Sequence, residues 1–343
     1  MRRLLATMTA ASLLLAVPLA APAADEDVVN VYSARQEALI KPLLERFSES
    51  TGIEVNLVTG SADALIKRLQ VERRNTPADM LITVDAGRLY RASEADLFRR
   101  VESRTLESRV PEHLRHPDNH WFGLSKRARV IAYRRDAVEP AQLSTYEALA
   151  DERWQDEICV RSSDNVYNQS LLAAIVAADG ADAALEWARG VVRNMARRPQ
   201  GGDRAQIRAV AAGVCDLAIV NTYYYGRMQD ADDADTRAAA EKVGLFFPNQ
   251  SGRGTHVNVS GAGVTRHAPH PETAVRLLEY LTSDAAQRWY AEVNYEYPVV
   301  PGVEVSDAVR GWGYPFREDD LPLSRLGALN ARAVRIFDRA GWR

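Results

Sequence analysis

Between Val28 and Phe98 the chain alternates short apolar runs with amphipathic stretches at a spacing that few folds accommodate. VVNVYS (28–33) reads as a buried strand. The following helix cannot begin at once, because Pro42 would fall in its interior; a start near Ile40 or Lys41 puts the proline in the first turn, where a missing N–H costs little. ARQEAL is then a loop at the C-terminal end of the strand. Leu43, Leu44 and Phe47 share one face of a helix that ends before Thr51-Gly52. IEVNLVTG reads as a second strand, SADALIKRLQVERRN as a second helix carrying Leu65, Ile66 and Leu69, PADMLITVD as a third strand and AGRLYRASEADLF as a third helix. Strands and helices alternating at these lengths predict an α/β fold with a mostly parallel sheet and right-handed crossovers.

A similar unit recurs further on. DEICVRSSD (156–164) predicts a strand, residues 170–194 are largely helical, and AQIRAVAAG is a short helix before the strand CDLAIVN (215–221). No sequence repeat accompanies this recurrence of architecture. PETAVRLLEYLTSDAAQRWYAEV predicts two helices broken near Thr282, and NARAVRIFDRAGW (330–342) a last one.

The N-terminus restricts where such a fold would work. Residues 1–24 combine two arginines, an apolar run and small residues before the acidic DED, the pattern of a secretory signal peptide cleaved near Ala23 or Ala24. The segment contains no cysteine, which argues against a lipid anchor at the cleavage site, and no later stretch approaches the ~20 apolar residues of a spanning helix. The expectation is a soluble exported protein in a bacterial periplasm. Roughly 320 residues then remain, enough for two domains. Forty-three Lys and Arg against 46 Asp and Glu leave nothing that recommends a nucleic-acid partner. The two cysteines, Cys159 and Cys215, are too few for a thiolate metal site but enough for one bridge in an oxidising compartment.

Straight after the apolar run CDLAIV comes NTYYYGR (221–227). Three consecutive tyrosines cannot face one core from a strand, because successive side chains point to opposite faces. Two neighbours can converge only where the backbone turns, and the position suggests a strand-to-helix junction, where α/β proteins build binding sites. An aromatic plug at a domain edge is the alternative.

Seven stretches, VVNVYSARQE, TPADMLITVDAGRLY, GLSKRARVIAYRRD, ICVRSSDNVYNQS, CDLAIVNTYYYGR, HVNVSGAG and YLTSDAAQRWYAEVNYEYPV, together resemble the ferric-ion-binding family of periplasmic solute-binding proteins that serve ABC importers. They follow in that order over nearly all of the chain after the leader. The resemblance implies a two-lobed periplasmic-binding-protein fold, each lobe a mostly parallel sheet flanked by helices, with the ligand in the cleft between. The first lobe would hold 27–126 plus about 256–303, and the second 127–255 plus about 304–343. The implied activity is capture of Fe³⁺, without catalysis, by a monomer that delivers it to an inner-membrane ABC permease and its ATPase.

The family binds Fe³⁺ mainly through tyrosines, since a hard, highly charged ion prefers anionic oxygen. A free phenol has a pKa near ~10, so the metal must displace its proton. Tyr223 and Tyr224 match the family's paired tyrosines and Tyr167 its third, whereas Tyr225 reads as packing. Alone, Tyr167 could equally be a partly buried packing residue. The stretch after the first strand departs from the pattern. Gln36 stands where members carry a histidine and Glu37 where they carry a tyrosine, so Glu37 is either a ligand, direct or through water, or a solvated loop carboxylate. Arg127 and Arg227 match cleft arginines that would offset three phenolates and a carboxylate and could hold a synergistic anion such as carbonate. Within the basic run that includes Lys126 and Arg129, Arg127 could also be a solvated charge. Ser33 could assist through its hydroxyl, while Tyr32 reads as core. Both cysteines are expected at the same edge of the second sheet, bridged or as buried thiols.

Two readings compete. An organic or oxyanion solute could stack on the tyrosines, or the fold could carry an enzyme, although no nucleophile elbow, P-loop or HExxH motif is present. The spacings of His113 with His116 and His267 with His270 lack the completing ligands of a zinc site. These histidines are expected at the surface, and His256 to be structural.

Overall fold

The computed structural model describes residues 27–343; the expected leader lies outside the described residues. Among the described residues nine strands form one sheet system: β1 (Val28–Ser33), β2 (Glu54–Thr59), β3 (Met80–Val84), β4 (Phe122–Arg134), β5 (Ile158–Cys159), β6 (Leu217–Asn221), β7 (Val243–Phe246), β8 (Val257–Val264) and β9 (Tyr297–Pro298). Their order is β2-β1-β3-β8-β4-β6-β5, with β7 and β9 pairing further stretches of β4. β1 pairs in parallel with β2 and β3, as the alternation predicts. The helix Lys41–Thr51 takes Pro42 in its first turn, buries Leu43, Leu44 and Phe47, and stops at Gly52. Ser61 caps Ala62–Glu72, whose buried face is Leu65, Ile66 and Leu69.

β4 joins the two halves of the sheet. Its first part, Phe122–Ala128, runs antiparallel to β8, and Arg129–Tyr133 runs antiparallel to β6. Beyond the change of partner, β7 closes on the other side of Ile131–Arg134. Eleven of its 13 residues are buried, so two arginines in this strand are buried with them. Arg127 and Arg129 are two residues apart and share a face, whereas Lys126 turns the other way and binds Glu318 at 2.7 Å.

The last helix runs Ser324–Ala340, beginning six residues before the expected Asn330, because Leu326 and Gly327 already belong to its buried face. It packs against the helix Ala86–Glu94 of the first half as well as Val166–Asp179 and Ala181–Arg193 of the second. Gly327 is what permits the first of these contacts: a Cβ there would lie 2.2 Å from Cβ of Tyr90.

Cys159 and Cys215 are joined by a disulfide with Cα atoms 5.9 Å apart. The sequence reads both cysteines as opening strands, ICVRS and CDLAIVN, but neither does. Cys159 closes the two-residue β5, and Cys215 lies in the bend ahead of β6. In the parallel register Cys159 faces Ala218, three residues from Cys215, an offset that would turn the side chains apart in regular strands. The bend before β6 is what lets them meet. Denatured, unreduced protein should therefore show no free thiol, and two would refute the bridge. Replacing both cysteines by serine should cost about 2–4 kcal/mol in a denaturant titration.

Candidate metal centre

β6 passes into the helix Thr222–Gln229 without a loop, Asn221 serving as both last strand residue and N-cap. Successive helical residues point ~100° apart, so three tyrosines in a row must diverge. Tyr223 and Tyr224 line a cavity of about 710 Å³. Tyr225 turns into the core instead, donating to the Val243 carbonyl at 3.1 Å with its ring edge-on to Trp312. Gly226 makes that packing possible, because a Cβ there would sit 2.4 Å from the Trp312 ring.

Tyr167 reaches the same cavity from the helix Val166–Asp179. This helix begins four residues before the expected Ser170, since Asn165 caps it through the Asn168 N–H. All three phenols thus stand in first turns of helices that follow strands, where the helix dipole favours negative charge. The Tyr223 hydroxyl donates to that of Tyr167 at 3.3 Å, and the rings of Tyr223 and Tyr224 lie 4.3 Å apart.

Guanidinium groups surround them. Arg127 lies 5.8 Å from the Tyr223 ring centre, and Arg129 and Arg161 lie 5.9 and 5.7 Å from that of Tyr167. Burial, then the neighbouring Tyr224, pushes the Tyr167 phenol up to about 12 despite Arg127. Burial, then Tyr167 and Tyr224, raises Tyr223 well above the ordinary phenol value, again against the pull of Arg127. With no cation between them, these two phenols are protonated at neutral pH.

The cavity wall carries seven arginines and two carboxylates. Both carboxylates are already committed. Asp203 accepts from Arg129 at 2.9 Å, Arg161 at 3.1 Å and the Asn221 N–H at 2.8 Å. Glu296 accepts from Arg35 and Arg127, each at 2.8 Å. Burial alone would raise the Glu296 carboxyl, but these two guanidiniums hold it down at about 2. Arg227 also lines the cavity. The wall is therefore cationic in excess and suits an anionic partner, or phenolates and a cation together with one.

The other sequence candidates separate. Gln36 lies on the cavity wall. Glu37 is exposed and bonded to Lys41 one turn on, at 2.9 Å. Ser33 is buried and accepts from the Arg35 N–H at 3.2 Å. Arg127 is 2% exposed, which rules out a solvated charge. Sequence reading missed Arg35, Arg161, Asp203 and Glu296. The available signal for Glu296 was a lone acid between two aromatic residues in NYEYPV. Tyr32 is core, its hydroxyl donating to Glu72.

The histidines differ in part from expectation. His113 and His116 are half-buried rather than at the surface; His116 stacks on His120 at 4.6 Å, and the Ser93 hydroxyl meets Nε2 of His116 and Nδ1 of His120. His270 bonds Asp79 at 3.0 Å, and His256 is buried, where desolvation drops its pKa to about 3. Among the described residues, no three His, Cys, Asp or Glu side chains are grouped to hold a metal ion.

Asp203 braces both Arg129 and the residue that starts the tyrosine helix. Asp203→Ala should cost about 3–5 kcal/mol in chemical denaturation, since it strands a buried guanidinium. A loss below about 1 kcal/mol, the range of an exposed pair, would show the pair to be solvated.

Comparison with known proteins agrees with this architecture. Residues 43–312 match the family described as bacterial extracellular solute-binding protein. Iron uptake protein A1 of Synechocystis sp. is 49% identical, over 95% of this chain and 90% of its own. A solved structure of the Trichodesmium protein FutA (IdiA), in complex with iron and citrate ligands, superposes with a TM-score of 0.90 at 48% identity. It covers 92% of this chain and 100% of its own. The ferric binding protein from Campylobacter jejuni superposes at 0.87 with 39% identity, over 92% of this chain and 100% of its own. These relatives share the two-lobed α/β fold, and they bind solutes for transport rather than convert them. The chain belongs to the bacterial extracellular solute-binding proteins, as a non-enzymatic member of its periplasmic ferric-ion-binding branch.

Proposed function

We propose that this protein captures Fe³⁺ between the phenolates of Tyr167, Tyr223 and Tyr224 and hands it to an inner-membrane ABC permease powered by its ATPase. The observation that carries the reading is the convergence of three phenols in one cavity, framed by buried guanidinium groups. Phenolate oxygens match a hard trivalent cation, and relatives are named for iron uptake. Glu37, bonded to Lys41 on the exposed side, does not touch the ion in this reading. Three phenolates balance Fe³⁺, so the arginine excess, including Arg127 and Arg227 with Gln36 beside them, is met by an oxyanion such as carbonate filling the remaining coordination positions. Ser33 serves the loop that carries Arg35, without contact to the ion.

The protein works as a monomer in the periplasm, exported by residues 1–24. Among the described residues no helix is long and apolar enough to cross a membrane. The lobes divide as 27–126 plus about 256–303 and 127–255 plus about 304–343. The exchange of β4's partner from β8 to β6 between Ala128 and Arg129 supports that division. Closure would then turn about β4 and β8. The arginine excess also favours a second reading, a receptor for an oxyanion alone with the tyrosines as stacking platforms.

Colour separates the two. Loaded with ferric iron, the protein should be orange-red from phenolate-to-iron charge transfer, and Tyr223→Phe with Tyr224→Phe should bleach it. Full colour in that double variant would overturn the ligand assignment, and a colourless wild type would favour the oxyanion. Glu37→Gln should leave iron affinity unchanged in competition with citrate; a tenfold loss would restore Glu37 as a ligand.

Proton competition fixes the sign of the pH dependence. Because burial keeps Tyr167 and Tyr223 protonated without metal, each of these two must release a proton on binding. Apparent affinity should rise with pH by up to about tenfold per unit for each phenol, and iron should leave on mild acidification. Retention of full colour below pH about 4, the ordinary carboxylate range, would contradict a phenolate site.

A further inference from the structure

Glu296 lies outside the proposed ligand set, yet it sits at the junction of the cleft's buried charges. Its Oε1 accepts from Nη2 of Arg127, while Oε2 accepts from Nη2 of Arg35 and from the Ser125 hydroxyl at 2.7 Å. Ser260 on β8 accepts from both guanidiniums. Arg35, Ser125, Arg127, Ser260 and Glu296 are all at least nine-tenths buried. They come from the loop after β1, from β4, from β8 and from the segment before β9.

Arg127 is held by one edge only. Nη2 makes both of its hydrogen bonds, while Nε and Nη1 are buried without a partner. Unpaired buried donors cost free energy, so such an arrangement persists where another state supplies the acceptor. Arg127 lines the cavity with its guanidinium 5.8 Å from the Tyr223 ring centre, and under the ferric reading above the acceptor brought there is anionic oxygen. An arginine has four side-chain torsions, and backbone geometry does not place its head group. Among the described residues, Glu296 is the carboxylate to which Arg127 is paired.

We propose that Glu296 is a positioning residue of the iron site: it clamps Arg127 by one edge so that the other faces the phenols and the anion. The same carboxylate, through Arg35, ties this geometry to the loop at residues 34–39 that closes the far side of the cavity. The proposal rests on the ferric reading above.

A double-mutant cycle tests it. Iron affinity is measured by citrate competition in wild type, Glu296→Gln, Arg127→Met and the double variant, with melting curves of the iron-free proteins to verify folding. Glu296→Gln should weaken iron binding about tenfold and move the visible band, and the loss should vanish in the Arg127→Met background. An unchanged affinity in Glu296→Gln, or the same tenfold loss with Arg127 already removed, would overturn the clamp. Should Glu296→Gln fail to fold, Ser260→Ala loosens the same edge without changing charge. It should then cost about threefold, dependent on Arg127, and wild-type affinity in that variant would equally overturn the proposal. An iron-free readout keeps the two readings apart. Phenylglyoxal should modify Arg127 faster in Glu296→Gln, or in Ser260→Ala if that variant is used, than in wild type. Equal rates refute the clamp, whereas a wild type that takes up no ferric ion refutes the ferric reading alone.

Discussion

Two guanidinium groups lie buried on one face of β4, and each is matched to a buried carboxylate from elsewhere in the chain: Arg127 to Glu296, and Arg129 to Asp203. An unpaired charge in such a place would be prohibitive, so the strand can be buried only when those partners arrive. Glu296 comes from the segment before β9 and brings Arg35 with it. Asp203 opens a helix after the long helical pair and also holds the backbone of Asn221. These two pairs therefore fix where the loop after β1 and the start of the tyrosine helix lie relative to β4.

The phenols inherit their environment from the same pairs. Tyr223 follows Asn221 by two residues, so the Asp203 contact that anchors Asn221 also anchors the helix that carries the tyrosines. Arg127 and Arg129 stand within 6 Å of the rings of Tyr223 and Tyr167. Burial makes the phenolates of Tyr167 and Tyr223 costly there, and Arg127 offsets part of that cost.

The C-terminal helix adds a second constraint. By packing against Ala86–Glu94 through Gly327 and against Val166–Asp179 and Ala181–Arg193, it touches helices that flank both halves of the sheet. Asp85, which caps Ala86–Glu94, also accepts from Ser170 at 2.8 Å.

Periodicity, proline placement and capping residues are local, and for that reason the alternation of strands and helices, Pro42 in a first turn and the Tyr223–Tyr224 junction could be read from the chain alone. The three candidate phenols were legible because their residue types recur with recognisable neighbours. Local pattern misplaced what depends on partners distant in sequence. Arg127 looked equally like a solvated charge until burial in β4 demanded a carboxylate, and Glu296 had no signal strong enough to single it out. Glu37 could be read as a ligand or as a solvated loop carboxylate, and only the folded turn Glu37–Leu39 shows it exposed and bonded to Lys41. The disulfide depended on a bend before β6 that strand register alone would have forbidden. Sequence set the elements and the donor chemistry; which charges are buried together was decided by tertiary structure, because the cost of burying a charge belongs to its surroundings and not to the residue that carries it.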